Sequence, residues 1–322
     1  MEQNSIPLVS ICTLVYNHEY YLRECFEGIM MQKTDFAFEV LVHDDASTDN
    51  SAEIIREYTA KYPDIFKPIY QKENQYSKGV KVNATYQYPR AKGKYIALCE
   101  GDDYWTDPLK LQKQVDVLEV NPEYTMCFAR AIEHYEGGSK EDKLFSLIED
   151  RDYEGIEFFA NWIVPTASVL YRKEIFSTLL YREYTNNKNI IFGDTPLFLT
   201  CAHYGKVRGM SDVVSVYRRH EGGMTRAVLK DYDCCKRYHY HELEIYKVFG
   251  DVYKKKSIDY FIKGHCEVFW ETFWKRGLET RYDFLKESLD VSFSVTVKIL
   301  CEIFKTRLKR RMGRVVLAKK GK

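Results

Sequence analysis

The sequence predicts an α/β protein: a mostly parallel central sheet flanked by helices, continued by a helical C-terminal region. Three observations carry that expectation. Apolar, β-rich runs alternate with amphipathic stretches through the N-terminal third, which is the pattern of βαβ units with right-handed crossovers. Polar clusters follow the strands, at the carboxyl ends where ligands bind in such sheets. The composition is globular, with 45% hydrophobic and 15% aromatic residues and only 17 Gly and 8 Pro in 322, which excludes disordered, collagen-like and low-complexity chains. The length admits about two domains at roughly 150 residues each.

The elements follow in order. Val9–Val15 is a mostly apolar run suited to a strand buried on both faces, and Asn17, His18 and Glu19 break it. Over residues 20–32, Leu22, Cys25, Phe26 and Ile29 recur at helical spacing. A second strand over 38–42 ends in Asp44-Asp45-Ala46-Ser47-Thr48-Asp49, a cluster of N-cap residues before a helix with Ile54, Ile55 and Tyr58 on one face. A third strand over 65–70, a weakly helical stretch over 79–91 and a fourth strand over 94–99 lead to Glu100-Gly101-Asp102-Asp103. Asp107 and Pro108 have the form of an N-cap and first helical residue, opening a helix with Leu111, Val115 and Leu118 inward. The charged stretch 136–152 reads as a loop or short insertion, and 163–171 and 213–217 as further strands. Beyond about residue 225 the pattern is helical and aromatic, with Cys266, Phe269, Trp270, Phe273 and Trp274 on one helix face.

Charge and cysteine usage narrow the setting. The net charge of +1 conceals a basic tail, since 298–322 holds ten Lys or Arg against Glu302 alone. Such a tail on an acidic body suits a polyanion, either a phospholipid surface or nucleic acid, or else a solvated end. The basic residues form no recognised nucleic-acid fold, so no nucleic-acid partner is expected. Nine cysteines without a CxxC, several inside apolar runs, indicate reduced buried thiols and a cytoplasmic protein. No secretory signal and no run long enough to span a membrane is expected, because the longest apolar stretch, 291–304, is interrupted by Lys298 and Glu302. Val295, Ile299, Ile303 and Leu308 with the basic end suggest a helix lying on an anionic membrane face.

Asp102 and Asp103 after a buried strand form a hard-oxygen pair suited to Mg²⁺ or Mn²⁺ shared with phosphate oxygens, although an isolated pair of this kind is more often a capped turn. The chain lacks GxGxxG after its first strand and lacks GxxxxGK[ST], so neither a dinucleotide fingerprint nor a Walker loop is present. Asp194 or Thr195 is placed to cap a helix with Pro196 in its first turn. A helix N-terminus lowers a carboxyl pKa unless burial opposes it.

Taken together, Val9-Ser10-Ile11 through Tyr16-Asn17, Asp44 to Asp49, Gly93-Lys94-Tyr95-Ile96 and Asp102-Asp103 resemble the family 2 inverting glycosyltransferases. The likeness covers roughly residues 7–223. It implies the GT-A fold, a nucleotide-sugar donor and a metal-dependent sugar transfer, with a frequent role in cell-surface polysaccharide or lipid-linked glycan assembly. Carried over residue by residue, Tyr16 would pack near the donor base, Asn17 would stand beside it, and Asp45 would accept from the base's ring N–H. Asp102 would lie near the ribose and Asp103 would ligate the ion. Asp194 would be the general base toward the acceptor hydroxyl, and His220, in a Tyr-Arg-x-His stretch, would reach the diphosphate or the metal, with Arg218 or Arg219 offsetting phosphate charge. Leu14 stands where the family often has Pro, and 74–83 matches a donor-side loop too loosely for a role.

The implied organisation is a GT-A domain over 1–225, with a donor half at about 7–105 and an acceptor half at about 106–225, then the helical region 226–322. The implied partners are a UDP-sugar first among nucleoside-diphosphate sugars and a glycan or lipid-linked acceptor. Two other readings compete: a sugar-1-phosphate nucleotidyltransferase, whose Gly-rich basic signature is replaced here by Tyr16-Asn17-His18-Glu19, and a non-catalytic nucleotide-sugar-binding module. Trp105 suits either a sugar contact or packing, and His18 and His43 read as non-catalytic.

Overall fold

The computed structural model describes residues 6–223, 232–262, 286, 288–289, 291–302 and 304–305. Two compact units divide the chain, Met1–Glu221 and Gly222–Lys322.

The first unit runs β1 (Val9–Val15), α1 (Leu22–Met30), β2 (Phe38–Asp44), α2 (Ser51–Lys61), β3 (Phe66–Tyr70), β4 (Tyr95–Leu98), β5 (Tyr104–Trp105), α3 (Lys110–Val120) and β6 (Tyr124–Tyr135). It continues through β7 (Lys143–Leu144), β8 (Asp152–Tyr153), α4 (Gly155–Asn161), β9 (Leu170–Arg172), α5 (Leu179–Asn186), α6 (Asp194–Tyr204) and β10 (Lys206–Arg219). One ten-stranded sheet has the order β3-β2-β1-β4-β9-β6-β10-β5, with β7 beside β6 and β8 beside β10. The long pairings β1–β2, β2–β3, β1–β4 and β6–β10 are parallel, and the short strands β5, β7, β8 and β9 join antiparallel. Parallel pairs need helical crossovers, so their strands are covered on both faces, and six of the seven β1 residues are fully buried.

Leu22, Cys25, Phe26 and Ile29 of α1 and Ile54, Ile55 and Tyr58 of α2 fill the core as their spacing requires. Trp105 is buried too: its Nε1 donates to the Ala167 carbonyl at 2.7 Å and the Lys110 ammonium lies 4.2 Å from its ring, so it is a packing residue. A Cβ at Gly28 would stand 2.7 Å from the Trp105 carbonyl oxygen, which is why α1 can lie directly against β5. Five thiols, Cys12, Cys25, Cys99, Cys127 and Cys201, are free and buried, and Cys301 is exposed.

Several elements depart from expectation. The 12-residue β6 was not foreseen, nor were α4 and α5, and the strand expected over 213–217 extends to the 14-residue β10 beside β6. The 79–91 stretch forms a π turn at Asn83–Gln87 and a 3-10 turn at Tyr88–Arg90. Residues 163–171 hold a 3-10 turn, Thr166–Ser168, before the short β9. Asp107 does not cap α3, which begins at Lys110; its Oδ1 accepts from the Leu109 N–H one turn earlier, at 2.9 Å.

In the second unit, α7 (Tyr232–Phe249) and the helical residues 254–262 and 293–302 share a small core of Leu243, Phe261, Ile262, Val295 and Ile299. Val295 and Ile299 are therefore packed inside and do not face a membrane as expected. Their burial leaves Phe293, Val297, Leu300 and Phe304 exposed on the other side. Ile303, Leu308 and the aromatic face of Cys266 to Trp274 lie outside the described residues.

Candidate functional site

Carboxylates and imidazoles gather where β1, β2 and β4 end. Register aligns these ends: Val15 pairs with Asp44, Cys12 pairs with Leu98, and the Gly101 N–H reaches the Leu14 carbonyl at 2.9 Å.

The β1–α1 loop and the β2–α2 loop are laced together. Asn17 adopts a left-handed backbone (φ 58°), a conformation Asn tolerates better than most residues. Its Oδ1 accepts from the Thr48 N–H at 2.8 Å, and its own N–H donates to Ser47 Oγ at 3.0 Å. The His18 N–H donates to Ser51 Oγ at 2.9 Å and the Glu19 N–H to Asp49 Oδ2 at 2.9 Å. Tyr16, at the end of β1, keeps an exposed ring. Asp45 is buried and draws in the 74–76 loop: Oδ1 accepts from the Gln75 N–H at 2.8 Å and Oδ2 from the Tyr76 N–H at 3.0 Å. Each oxygen retains acceptor capacity, since a carboxylate offers about four lone-pair sites. His43 is sealed between Asp45 and the Tyr86 ring.

At the β4 end, Asp102 Oδ2 lies 3.0 Å from His220 Nε2 and 3.9 Å from His18 Nε2. Burial alone would raise the Asp102 pKa, but the His220 hydrogen bond and the two imidazoles more than offset it, so the carboxyl sits below its ordinary range. Asp103 is its opposite. Oδ1 accepts from the Arg218 N–H at 2.9 Å, while Oδ2 is buried with no hydrogen-bond partner among the described residues. Burial, then the Asp102 charge, push Asp103 well up. Glu100 is pushed up to about 8, by burial first and then by the charges of Asp102 and Asp194.

Asp194 occupies the first turn of α6, after an N-cap taken by Gly193, and its Oδ1 accepts from the Thr195 N–H at 2.8 Å. Burial outweighs the backbone hydrogen bonds and raises its pKa. Lys81 ties the 74–83 stretch to the end of α5: its Nζ donates to the carbonyls of Tyr184 (2.7 Å), Thr185 (2.9 Å) and Asn187 (2.9 Å).

The geometry thus pairs Asp102 with His220, ties Asp103 to the Arg218 N–H two residues before that histidine, and sets Tyr16, Asn17 and Asp45 at the adjoining strand ends, while Asp194 opens α6. It adds His18 and Glu100, which sequence reasoning left aside. The only textual cue to Glu100 is that it opens the same Glu-Gly-Asp-Asp turn. The arginines are already engaged. Arg218 is ion-paired with Glu24 and with Glu136 (2.6 Å) and lies 4.5 Å from the Tyr104 ring; Arg219 donates to Glu133 at 2.7 Å.

Comparisons with known proteins agree with this architecture. The family model described as Glycosyl transferase family 2 matches residues 10–180. An uncharacterized protein of Mycobacterium tuberculosis is 39% identical over 224 residues, covering 69% of this chain and 62% of that protein, so the chain spans a little under two thirds of that relative's length. Among solved structures, S. aureus TarS 1-349 in complex with UDP-GlcNAc superposes with a TM-score of 0.59 at 15% identity, over 95% of this chain and 92% of that one. The mannosyltransferase PcManGT from Pyrobaculum calidifontis, in complex with GDP-Man and Mn²⁺, gives 0.55 at 13% identity, over 94% and 88%. At these identities the structural likeness shows the fold, which is GT-A. The family model covers more than half of the chain, and the protein belongs to glycosyltransferase family 2.

Proposed function

We propose that the protein transfers a sugar from a nucleoside-diphosphate sugar, a UDP-sugar first, to a hydroxyl of a glycan or lipid-linked acceptor, with inversion at the anomeric carbon. The observation that carries this reading is Asp194, a half-buried carboxylate in the first turn of α6 whose charge is felt at Glu100, in the turn that also bears the Asp102–His220 pair. A base with a raised pKa takes a proton better than an ordinary aspartate. Asp194 accepts the acceptor hydroxyl's proton as that oxygen attacks C1, and the nucleoside diphosphate departs from the opposite side. Tyr16 packs against the base, Asp45 accepts from its ring N–H, and Asn17 fixes the loop carrying Tyr16. Asp102 lies toward the ribose and holds His220 in place against the diphosphate.

A divalent ion, Mg²⁺ or Mn²⁺, fits the residues present. The buried Oδ2 of Asp103, without a hydrogen-bond partner among the described residues, is an acceptor that a cation would satisfy, and Asp102, which pairs with His220, adjoins it in the chain. Among the described residues no group of three or more His, Cys, Asp or Glu is arranged to hold an ion, so diphosphate oxygens and water would complete the shell. When bound, such an ion supplies charge stabilisation for the leaving diphosphate.

The reading extends to the second unit. Among the described residues no helix is long and apolar enough to cross a membrane. Phe293, Val297, Leu300 and Phe304 recur at helical spacing, all exposed, next to the basic stretch 298–322. That combination supports peripheral attachment to an anionic membrane, which would suit a lipid-linked acceptor in cell-surface glycan assembly.

Thermal unfolding with UDP, GDP, dTDP or CMP, each with Mn²⁺, Mg²⁺ or EDTA, tests the donor. A nucleotide at 100 times its Kd adds about 2.7 kcal/mol of stability. One nucleoside diphosphate should raise Tm and lose the effect in EDTA; no shift with any of them overturns the donor class.

A further inference from the structure

Trp162 stands at the C-terminal end of α4 with φ 45°, the left-handed region that bulky side chains avoid. The residue is nonetheless 43% exposed. A large apolar side chain thus stands on a strained backbone and is left partly open to water. The surroundings are specific. Phe145 meets Trp162 edge to face at 5.3 Å between ring centroids, Tyr217 stands perpendicular to it at 6.4 Å, and the Arg219 guanidinium lies 5.8 Å from the indole and 4.7 Å from the tyrosine ring. Ser146 Oγ donates to the Ile163 carbonyl at 2.6 Å and pins the following residue.

Topology sets this group at the reacting edge. β9 runs antiparallel to β4, with Leu170 paired to Ala97, so the chain enters β9 at the end of β4 that leads to Glu100 and Asp103. Tyr217 immediately precedes Arg218, whose N–H bonds Asp103, and Arg219 immediately precedes His220, which contacts Asp102. In the strand order, β6 and β10 lie across β4 and β9 from the β1–β2 ends where the nucleoside is placed. A ligand on Trp162 is therefore on the acceptor side.

We propose that Trp162, backed by Phe145 and Tyr217 and flanked by Arg219, is the stacking platform for a pyranose ring of the acceptor. The apolar C–H face of a sugar lies on an indole, while its hydroxyls reach Arg219 and water at the rim. This assignment rests on the glycosyltransferase reading above and names the acceptor class of the same site.

The test uses the 322-residue chain, methyl glycosides of glucose, galactose, mannose and N-acetylglucosamine, and saturation-transfer NMR beside thermal unfolding. At least one glycoside should receive saturation from the wild type. Trp162→Gly, which relieves the positive φ, should keep or raise Tm yet weaken that glycoside roughly ten-fold, with Trp162→Phe in between. The Tm shift with nucleotide and Mn²⁺ should be the same in wild type and both variants. No glycoside binding to the wild type, unaltered binding by Trp162→Gly, or a Tm loss in that variant would each overturn the proposal, the last by making the ring a packing element. Absence of any nucleotide shift would instead count against the donor reading and leave the glycoside result standing.

Discussion

Asp194 is held by two opposing influences, the first turn of α6 favouring its charge and burial disfavouring it, and burial prevails. Its folded pKa lies above the unfolded value of 3.8, so the protonated form is the one the fold favours, and its contribution to stability falls as pH rises through that interval. Asp194→Asn should therefore raise Tm at neutral pH while lowering transfer about 10²–10⁴-fold, as removal of a general base does. Native transfer should lose rate on its acid limb at a higher pH than an ordinary aspartate would give. A rate unchanged in Asp194→Asn would remove the base assignment. Gly101 offers a second test. A Cβ there would sit 2.7 Å from His18 Nδ1 and 3.1 Å from the Leu14 carbonyl, so Gly101→Ala should push the imidazole off Asp102 and weaken nucleotide binding, read as a smaller Tm shift. Asp102, Asp103 and Asp194 stood out in the sequence because each follows a readable strand or begins a readable helix. His18 did not, since nothing local connects it to a carboxylate that only the β1–β4 pairing brings near.

Between elements, the decisive joint is the one Lys81 makes with the end of α5. An ammonium serving three carbonyls satisfies acceptors that a helix C-terminus leaves open. Lys81→Met should cost about 2 kcal/mol, the scale of a lost charged hydrogen bond, and loosen the residues that lead to Asp194. Nucleotide affinity should change little while turnover falls; an equal loss in both would mean the joint holds the whole domain and not the base. The alternating β and α runs up to β4 were legible because each carries its own periodicity. β6 was not, although Thr125-Met126-Cys127-Phe128-Ala129 is apolar, because no turn signal isolates it from its flanks and its partner β10 lies some 80 residues on. α4 and α5 are short, and tertiary contacts decide them.

At the scale of the molecule, the basic end and the exposed apolar stripe of the second unit make a testable pair. The protein should pellet with anionic vesicles at low salt and release as salt screens the charge, and Phe293→Ser with Phe304→Ser should reduce binding without lowering Tm, because both rings are exposed. Failure to pellet would end the attachment reading. The tail's charge was plain from composition, but the side of the helix that stays exposed was not, because the core formed with α7 claims Val295 and Ile299. The five thiols buried among the described residues have a use of a different kind. They are spread over β1, α1, the end of β4, β6 and α6, and a thiol reagent reaches them only through openings of the fold. Alkylation rates, resolved by mass spectrometry and compared with the exposed Cys301, would therefore chart opening free energies layer by layer without any added probe, and a bound nucleotide should slow Cys99, next to Glu100, more than Cys201.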